Sequence, residues 1–160
     1  RSTQAKTLFP YTTLFRSTEY DVEFMLYVQE KINKSYVKKH LGLWDLNFQK
    51  IFLEKSMLRE KYNIICLEED MIGIFSWNED NERVYLHELL ILPKYQKNKV
   101  GSMLLEMLIK RSEYFKKDLI AYVFKSNKKA LEFYSKRGFE IEEETRSHYK
   151  IMHKKRGKQE

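Results

Sequence analysis

Residues 89–105 read LLILPKYQKNKVGSMLL, and the order of side chains in this stretch decides the fold. An apolar run ends at Pro93 and predicts a β-strand. A polar turn rich in lysine follows it. From Gly101 onward the leucines recur at helical spacing and predict the buried side of a helix. The stretch is therefore interpreted as a strand, a polar turn and a helix.

Residue periodicity in the rest of the chain predicts the elements around this unit. Two amphipathic helices come first, one over about 19–40 and one capped by Asp45, and Trp44 between them is expected to anchor the core, with a substrate contact as the alternative. The later elements are strands at 62–67, 71–77, 84–92 and 119–124, a helix that begins at Asn127 and stops at Gly138, and a closing hairpin. The fold class is α/β, with a mixed, mostly antiparallel central sheet flanked by helices.

The first 17 residues, RSTQAKTLFPYTTLFRS, do not read as natural protein. The run TLFPYTTLFRS is what a widely used DNA sequencing adapter encodes in one frame, and it lacks the apolar region and cleavage site of a signal peptide. We therefore expect residues 1–17 to be adapter translation, residues 18–153 to form one domain, and residues 154–160 to be a basic tail.

The formal net charge of +7 is concentrated at the two ends of the chain. Arg1, Lys6 and Arg16 contribute three positive charges without an acid, and the tail after His153 contributes a net three more. Residues 18–153 are therefore close to neutral, which argues against a nucleic-acid partner.

The number and spacing of cysteines and histidines, and the length of the apolar runs, exclude several classes of protein. Cys66 is the only cysteine, so an internal disulfide is excluded and a reducing, cytoplasmic setting is expected. The four histidines show no metal-ligand spacing. No stretch approaches the roughly 20 consecutive apolar residues of a membrane span. These patterns favour one domain without a metal or a membrane partner, and they leave the oligomeric state open.

Three ordered motifs resemble the heart of the GNAT superfamily of N-acetyltransferases. They are LLILPKYQ running into KNKVGSMLL, then SNKKALEFYSKRGF at 126–139, and Gly138 with Phe139 before the last hairpin. The order of elements agrees with the superfamily from about Asp21 to Met152. The resemblance implies a GNAT fold that transfers acetyl from acetyl-coenzyme A (acetyl-CoA), as co-substrate, to a primary amine of a small molecule or a protein N-terminus.

The same resemblance bears on the first 17 residues. The GNAT fold opens with a strand that pairs beside the next one and ends just before the first helix, near residues 18–21. Since residues 1–17 are interpreted as adapter, the natural first strand is expected to be missing. Residues 12–17 include β-favouring side chains at the right distance, so we expect them to occupy the vacant edge.

The superfamily binds the pyrophosphate of coenzyme A at a turn with the pattern Gln/Arg-x-x-Gly-x-Gly/Ala, which aligns with residues 96–101. Backbone N–H groups at the start of the following helix point at the phosphates, and the helix dipole favours negative charge there. Lys99 replaces the first glycine, adds a positive charge and resists a positive φ. The implied cofactor-binding residues are Leu89, Leu90 and Ile91 along the pantetheine arm, Asn127 beside that arm, and Gln96, Lys97, Asn98, Lys99, Val100, Gly101 and Ser102 in the turn.

Tyr134 matches the tyrosine that serves as general acid in many members of the superfamily. A phenol with a pKa of about 10 is protonated at neutral pH and can donate to a departing thiolate whose conjugate acid has a pKa of about 8.5. A lone tyrosine on a helix is usually a core residue, but within this motif we interpret it as the acid.

Glu88 is the candidate general base. Several superfamily members carry a glutamate on this strand, and a carboxylate among apolar neighbours should have a raised pKa. The alternative is a carboxylate paired with a nearby lysine or arginine. Strand alternation predicts that Glu88 shares one face with Val84, Leu86, Leu90 and Leu92.

Four further side chains complete the candidate site. His87 is expected on the opposite face from Glu88 and is the other candidate base. Tyr122 occupies a second family position for a base, so that route is closed. His148 and Tyr149 on the last hairpin are candidates for the acceptor pocket, with structural roles as the alternative.

Two alternatives to an active enzyme stay open. One is a coenzyme A-binding relic, in which Lys99 and an incomplete base have cost catalysis. The other is a basic nucleic-acid module built on KSNKK and the KKRGK tail, against which the near-neutral domain argues. The acceptor itself cannot be read from the sequence, because the same fold serves many acceptors.

Overall fold

A computed structural model describes residues 6–9 and 11–155 of the chain. Within these residues the chain forms eight strands, four α-helices and two short 3-10 turns, at Glu19–Asp21 and Pro93–Tyr95. The order is β1 (Lys6–Phe9), β2 (Thr12–Arg16), α1 (Val22–Leu41), α2 (Leu46–Arg59), β3 (Tyr62–Leu67), β4 (Asp70–Glu79), β5 (Arg83–Ile91), α3 (Val100–Tyr114), β6 (Asp118–Phe124), α4 (Lys128–Ser135), β7 (Glu140–Glu144) and β8 (His148–His153).

The strands form one sheet in the order β1-β2-β3-β4-β5-β6-β8-β7. Among the described strands only β5 and β6 pair in parallel, and every other neighbouring pair is antiparallel. The expected mixed, mostly antiparallel α/β fold is therefore confirmed.

Helices cover both faces of the sheet. Met25 and Val28 of α1 and Leu53 of α2 are buried against Ile64 and Ile74, and this side is called the α1 face. On the other side, called the α3 face, the cluster combines α3, α4 and the inward residues of β5, β6 and β8, with Leu104, Leu105, Leu108, Tyr134, Leu119, Ala121 and Ile151 buried together. Each face thus has its own apolar core, and the sheet separates them.

Residues 12–17 pair with the sheet as the sequence predicts. β2 runs antiparallel to β3, from the pair Thr12 with Leu67 to the pair Arg16 with Asn63, and the Ser17 N–H continues the ladder to the Tyr62 carbonyl at 2.9 Å. β1 pairs on the outer side of β2. Residues 12–17 therefore occupy the edge beside β3 as expected, and β1, which the sequence did not predict, adds a further strand outside them.

Two predicted helix caps are present. The Asp45 carboxylate accepts a hydrogen bond from the Phe48 N–H at 2.9 Å, and the Asn127 side chain accepts one from the Ala130 N–H at 3.1 Å. Each bond satisfies a backbone donor that the first turn of a helix leaves without a partner.

The second helix forms where predicted, but its apolar residues are distributed differently. Phe48, Ile51 and Phe52 are more than half exposed, and the buried residues of α2 are Leu53 and Ser56. Trp44, just before this helix, is only partly buried, and its indole Nε1 has no hydrogen-bond partner among the described residues.

A β-bulge in β5 overturns part of the predicted facing of Glu88 and His87. Glu88 shares a face with Leu90 and Leu92, as predicted, but not with Val84 and Leu86. Ser76 pairs with Glu88 and Trp77 pairs with Leu86, so His87 is an extra residue on β5. The extra residue shifts the alternation by one, as bulges do. Leu86 lies on the α3 face, whereas Leu90 and Glu88 lie on the α1 face. His87 contacts Glu60 at the end of α2 and therefore lies on the same face as Glu88 rather than the opposite one.

Candidate active site

The site is centred on a gap between the two parallel strands. β5 and β6 pair from Arg83 with Asp118 to Leu86 with Ala121, and no pair beyond these joins them in the described part of the chain. Both strands continue, β5 to Ile91 and β6 to Phe124. The sheet is therefore interrupted at this point, immediately after the bulge at His87.

The edge of β5 in this gap carries backbone groups of Leu89 and Ile91, and of these the Ile91 carbonyl accepts a hydrogen bond from the Gln96 side chain. The Leu92 N–H donates to the Ile72 carbonyl at 2.8 Å, so the backbone groups of even-numbered residues here face β4. Alternation then turns those of Leu89 and Ile91 toward the gap, while those of Leu90 face β4. Gly73 permits this pairing, because a Cβ there would lie 2.1 Å from the Leu90 carbonyl oxygen.

The turn after β5 presents the start of α3. Lys99 is the N-cap and adopts a left-handed conformation, with φ 60° and ψ 8°, so the turn does require the positive φ for which glycine is preferred. The first intrahelical bond runs from the Met103 N–H to the Lys99 carbonyl at 3.0 Å. The N–H groups of Val100, Gly101 and Ser102 therefore have no acceptor within the helix, as at any helix start.

Gln96 holds this turn in place from both sides. Its Nε2 donates to the Ile91 carbonyl at 2.9 Å, and its Oε1 accepts from Lys129 Nζ on α4 at 2.8 Å. Lys97, Asn98 and Lys99 between these anchors are exposed. The turn therefore offers backbone amides and positive side chains to solvent from a fixed position.

One side of α4 faces the turn, which the sequence analysis missed. A Cβ on Gly101 would lie 3.8 Å from Cζ of Phe133, and Arg137 Nη2 donates to Ser102 Oγ at 2.7 Å. Lys129 and Phe133 lie one turn apart on one side of α4, and Arg137 follows in the turn just after the helix. The four-residue spacing of Lys129 and Phe133 could have indicated this side of α4, whereas the turn motif covers only residues 96–101.

Tyr134 is buried on the α3 face. Its ring makes edge contacts with Phe133 and Phe139, at centroid distances of 5.3 and 5.2 Å. Burial raises the pKa of the phenol above its ordinary value. Beside the ring lies an open cavity of about 250 Å³, lined by Leu131, Glu132, Ser135, Phe139, Ile141 and Ile151. Tyr134 is thus a protonated phenol throughout the neutral pH range.

Glu88 is held on the α1 face by a helix residue. Gln29 Nε2 of α1 lies 3.0 Å from Glu88 Oε1 and 3.3 Å from Oε2. Burial raises the pKa of Glu88 to about 7, the Gln29 hydrogen bond opposes that rise, and the nearby Glu60 adds to it. No lysine or arginine pairs with Glu88 among the described residues. The carboxyl group therefore titrates near neutral pH.

His87 is bound to other side chains. Its Nε2 lies 2.8 Å from Asn78 Oδ1 and its Nδ1 lies 3.8 Å from Glu60 Oε1, while its ring stacks on Tyr85 at 6.3 Å. Both ring nitrogens thus have neighbours, which leaves Glu88 better placed as the base.

The remaining candidates divide between the two faces. Tyr149 packs on the α3 face, whereas His148 lies with its ring centroid 4.1 Å from that of Phe124. Burial, and secondarily His40, lower the pKa of His148. Tyr122 is more than half exposed.

An aromatic cluster on α1 and β6 was not predicted. The Phe124 ring stacks on Tyr36 at a centroid distance of 5.8 Å and on His40 at 5.7 Å. The His148 ring also contacts Phe124, at a centroid distance of 4.1 Å. His40 Nε2 also lies 2.7 Å from Ser126 Oγ. These four rings, Tyr36, His40, Phe124 and His148, lie at the end of β6 and are called the ring cluster.

Two classes of site find no support in the described part of the chain. It contains no group of three or more histidine, cysteine, aspartate or glutamate side chains that could hold a metal ion. None of its helices combines the length and the apolar character needed to cross a bilayer.

Comparison with known proteins agrees with this geometry. Residues 25–139 match the model of the acetyltransferase (GNAT) family. No curated protein sequence matches the chain significantly.

Solved structures share the fold at low identity. An acetyltransferase from Thermus thermophilus has a TM-score of 0.70 and 18% identity, over 92% of this chain and 97% of that one. The PaiA N-acetyltransferase from Thermoplasma acidophilum, solved with coenzyme A, has a TM-score of 0.65 and 19% identity, over 89% and 98%. An acetyl transferase from Salmonella typhimurium that modifies the N-terminal serine of a 50S ribosomal subunit protein has a TM-score of 0.67 and 15% identity, over 93% and 96%.

Proposed function

This chain belongs to the acetyltransferase (GNAT) family, and on that premise we propose that it transfers the acetyl group of acetyl-CoA directly to a primary amine. The observation that carries the proposal is the gap between β5 and β6. A protonated phenol, Tyr134, is buried on the α3 face of the sheet, and a carboxyl group that titrates near neutral pH, Glu88, lies on the α1 face at the β5 side of the gap.

Residues on the α3 face fit acetyl-CoA as the first substrate. The amides of Val100, Gly101 and Ser102 are donors for the pyrophosphate, and the edge of Leu89 and Ile91 offers an added-strand pairing to the amides of the pantetheine arm. A donor from this edge would also polarise the thioester carbonyl, which gains negative charge as the amine attacks.

Glu88 and Tyr134 supply the proton transfers. An amine is mostly protonated at neutral pH, so Glu88 first accepts its proton, directly or through water. The carbon–nitrogen bond then forms, and the carbon–sulfur bond breaks as Tyr134 donates its proton to the departing sulfur. The nitrogen gives up its second proton to solvent as the amide forms. The raised pKa makes the phenol a weak acid that donates only as negative charge develops on the sulfur. Afterwards Tyr134 takes up a proton from solvent and Glu88 releases one to it.

The amine acceptor approaches from the α1 face in this proposal. Glu88 and Gln29 lie there, and the ring cluster lies farther along the same face at the end of β6. Small amines and protein N-termini both present a primary amine that fits this arrangement. The Salmonella neighbour acts on a protein N-terminus, which makes that class the first to test.

One observation favours a second candidate function, a coenzyme A-binding protein without catalysis. Lys99 is held in a left-handed conformation that costs a non-glycine residue roughly 1–2 kcal/mol. Lysine in place of the first glycine of the motif strains the turn, and a coenzyme A-binding relic is a protein in which that substitution has cost catalysis.

Release of free thiol separates the two functions. The protein is incubated with acetyl-CoA and a panel of polyamines, amino sugars and peptides with free N-termini, and the thiol of coenzyme A is titrated over time. The enzyme releases thiol above the background of acetyl-CoA alone with at least one amine, and the Tyr134→Phe variant releases far less. Binding of coenzyme A without release from any amine would support the relic instead.

A further inference from the structure

A guanidinium group lies beside the start of α3 without a carboxylate partner. Arg137 Nη2 donates to Ser102 Oγ at 2.7 Å and Nη1 donates to the Phe133 carbonyl at 2.8 Å. Its Cζ lies 4.1 Å from the centroid of the Phe133 ring. These three contacts fix the side chain against the third residue of α3.

Two other cations of this part of the surface have carboxylate partners, and Arg137 has none among the described residues. Lys136, the adjacent residue, forms an ion pair with Glu132 at 2.9 Å, and Lys150 pairs with Glu143 at 3.1 Å. No aspartate or glutamate of the described residues pairs with Arg137, Lys129, Lys97 or Lys99. Among the described residues, four cations are therefore left without a counter-charge, two in the turn before α3, one on α4 and one just after α4.

This arrangement is unfavourable for the protein alone. The start of a helix carries a partial positive charge, so a guanidinium group placed there adds repulsion where an anion would be attracted. A guanidinium group has five N–H donors, and the two contacts to Ser102 and Phe133 leave donors unused. Planar, bidentate donation to phosphate is what this group does best.

We propose that Arg137 binds the diphosphate of coenzyme A together with the N–H groups at the start of α3, and that Lys129 assists it. The inference rests on the proposed function, since it assumes the same substrate. The diphosphate rather than the 3′-phosphate is assigned because Ser102, the residue to which Arg137 is bound, belongs to the α3 amides. Phosphate oxygens then replace Ser102 Oγ as the acceptor.

The test measures dissociation constants of three ligands by calorimetry or competition: coenzyme A, 3′-dephospho-coenzyme A and pantetheine. Arg137→Gln keeps an N–H donor for Ser102 but removes the charge, and we expect it to weaken both phosphate-bearing ligands about tenfold, as for the loss of a charge-assisted hydrogen bond. Affinity for pantetheine should stay within about twofold. Arg137→Lys should recover part of the loss.

Lys136→Gln is the matched control, because it removes one positive charge from the same segment at a side chain that already has a partner. It should leave all three constants unchanged. An equal loss for pantetheine, or no loss for any ligand, would overturn the inference, and a loss limited to coenzyme A would overturn the assignment to the diphosphate. A wild-type protein that binds no coenzyme A would instead reject the proposed function itself.

Discussion

In the proposed mechanism the ring of Tyr134 packs in the core and its hydroxyl group donates a proton, so removing the hydroxyl group alone tests the chemical role. The ring packs between Phe133 and Phe139, so Tyr134→Phe preserves the contacts that hold α4. We expect turnover to fall about 100-fold while affinity for acetyl-CoA changes only a few-fold, since a proton donor is lost and a binding surface is kept. Steady-state and binding measurements on the variant, beside Tyr114→Phe at an exposed position, test this. Unchanged turnover in a chemistry-limited assay would remove Tyr134 from the mechanism.

Glu88 should give the rate its dependence on pH. Its pKa is raised to about 7 by burial, so the carboxylate form needed as a base is lost as the pH falls through that value. We expect kcat/KM to decline below about pH 7 in the wild type and Glu88→Gln to lose or displace this acidic limb. A limb that stays in place in the variant would move the assignment to His87 or to water.

The same raised pKa has a signature in stability. Because the folded state holds the proton more tightly than the unfolded chain, ionised Glu88 costs stability above the folded pKa and nothing below the unfolded one. Relative to wild type, Glu88→Gln should therefore gain melting temperature at pH 8 compared with pH 4.5. An equal difference at both values would show that the pKa is not raised.

Lys99 combines strain and charge, which act in opposite directions on cofactor affinity. Lys99→Gly relieves a left-handed residue, a gain of about 1 kcal/mol. It also removes a charge, and two unit charges about 4 Å apart interact by about 1 kcal/mol in water and about 4 near a protein surface. We expect affinity for acetyl-CoA to stay similar or weaken, with a shallower salt dependence.

The dissociation constants at low and high salt measure both effects for Lys99. Lys97→Ala removes a charge from the same turn without changing a left-handed residue, so it isolates the electrostatic part. A marked tightening with an unchanged salt dependence in Lys99→Gly would mean that Lys99 is only a strained substitution, and it would strengthen the relic hypothesis.

Sequence patterns predicted single residues well where the cause is local. The caps at Asp45 and Asn127 depend on a few neighbouring residues, and both are present. The predicted facing of Glu88 relative to Leu86, and of His87 relative to Glu88, was wrong because alternation holds only in an unbroken ladder, and one extra residue in β5 shifts it. Arg137 escaped notice because its partner, Ser102, is distant in sequence.

At the scale of elements, β1 and β2 form one end of the sheet, outside β3. Deleting residues 1–17 removes both strands and leaves the edge of β3 without its ladder. It also removes Leu14, which is buried on the α3 face. We expect the melting temperature to fall by several degrees, as for the loss of about 1–2 kcal/mol from a domain of this size.

A shorter deletion separates the two strands. Removing residues 1–11 takes away β1 and keeps β2 on β3, so it should cost less than the full deletion. Calorimetry on both truncated proteins and the full chain measures the difference. An unchanged melting temperature without residues 1–17 would show that the segment does not stabilise the sheet.

The elements themselves were largely predictable from periodicity, because apolar spacing differs clearly between helices and strands. What periodicity could not predict is the environment of α2. Phe48, Ile51 and Phe52 have the composition of a buried side, yet they are exposed, since the α1 face is already filled by α1 and Leu53. Burial depends on how many elements compete for one face, which a single helix does not encode.

At the scale of the whole molecule, the separation of Glu88 and Tyr134 by the sheet favours a ternary complex. Both substrates must be present for an amine at Glu88 to reach an acetyl group held on the α3 face. We expect intersecting lines in double-reciprocal plots when both substrates are varied, and no acetylated protein when acetyl-CoA is added alone. Parallel lines, with a covalent acetyl-enzyme detected by mass spectrometry, would contradict direct transfer.

The gap between β5 and β6 has a consequence for the order in which ligands leave the proposed site. In the proposed mechanism, coenzyme A reaches this gap from the α3 face and the acceptor reaches it from the α1 face. Neither ligand then blocks the path of the other. Spent coenzyme A can leave and a fresh molecule can arrive while the acceptor stays in place on the other side. An acceptor with several amines would then be acetylated repeatedly during one encounter. The rate would be set by the exchange of coenzyme A for acetyl-CoA rather than by dissociation of the acceptor.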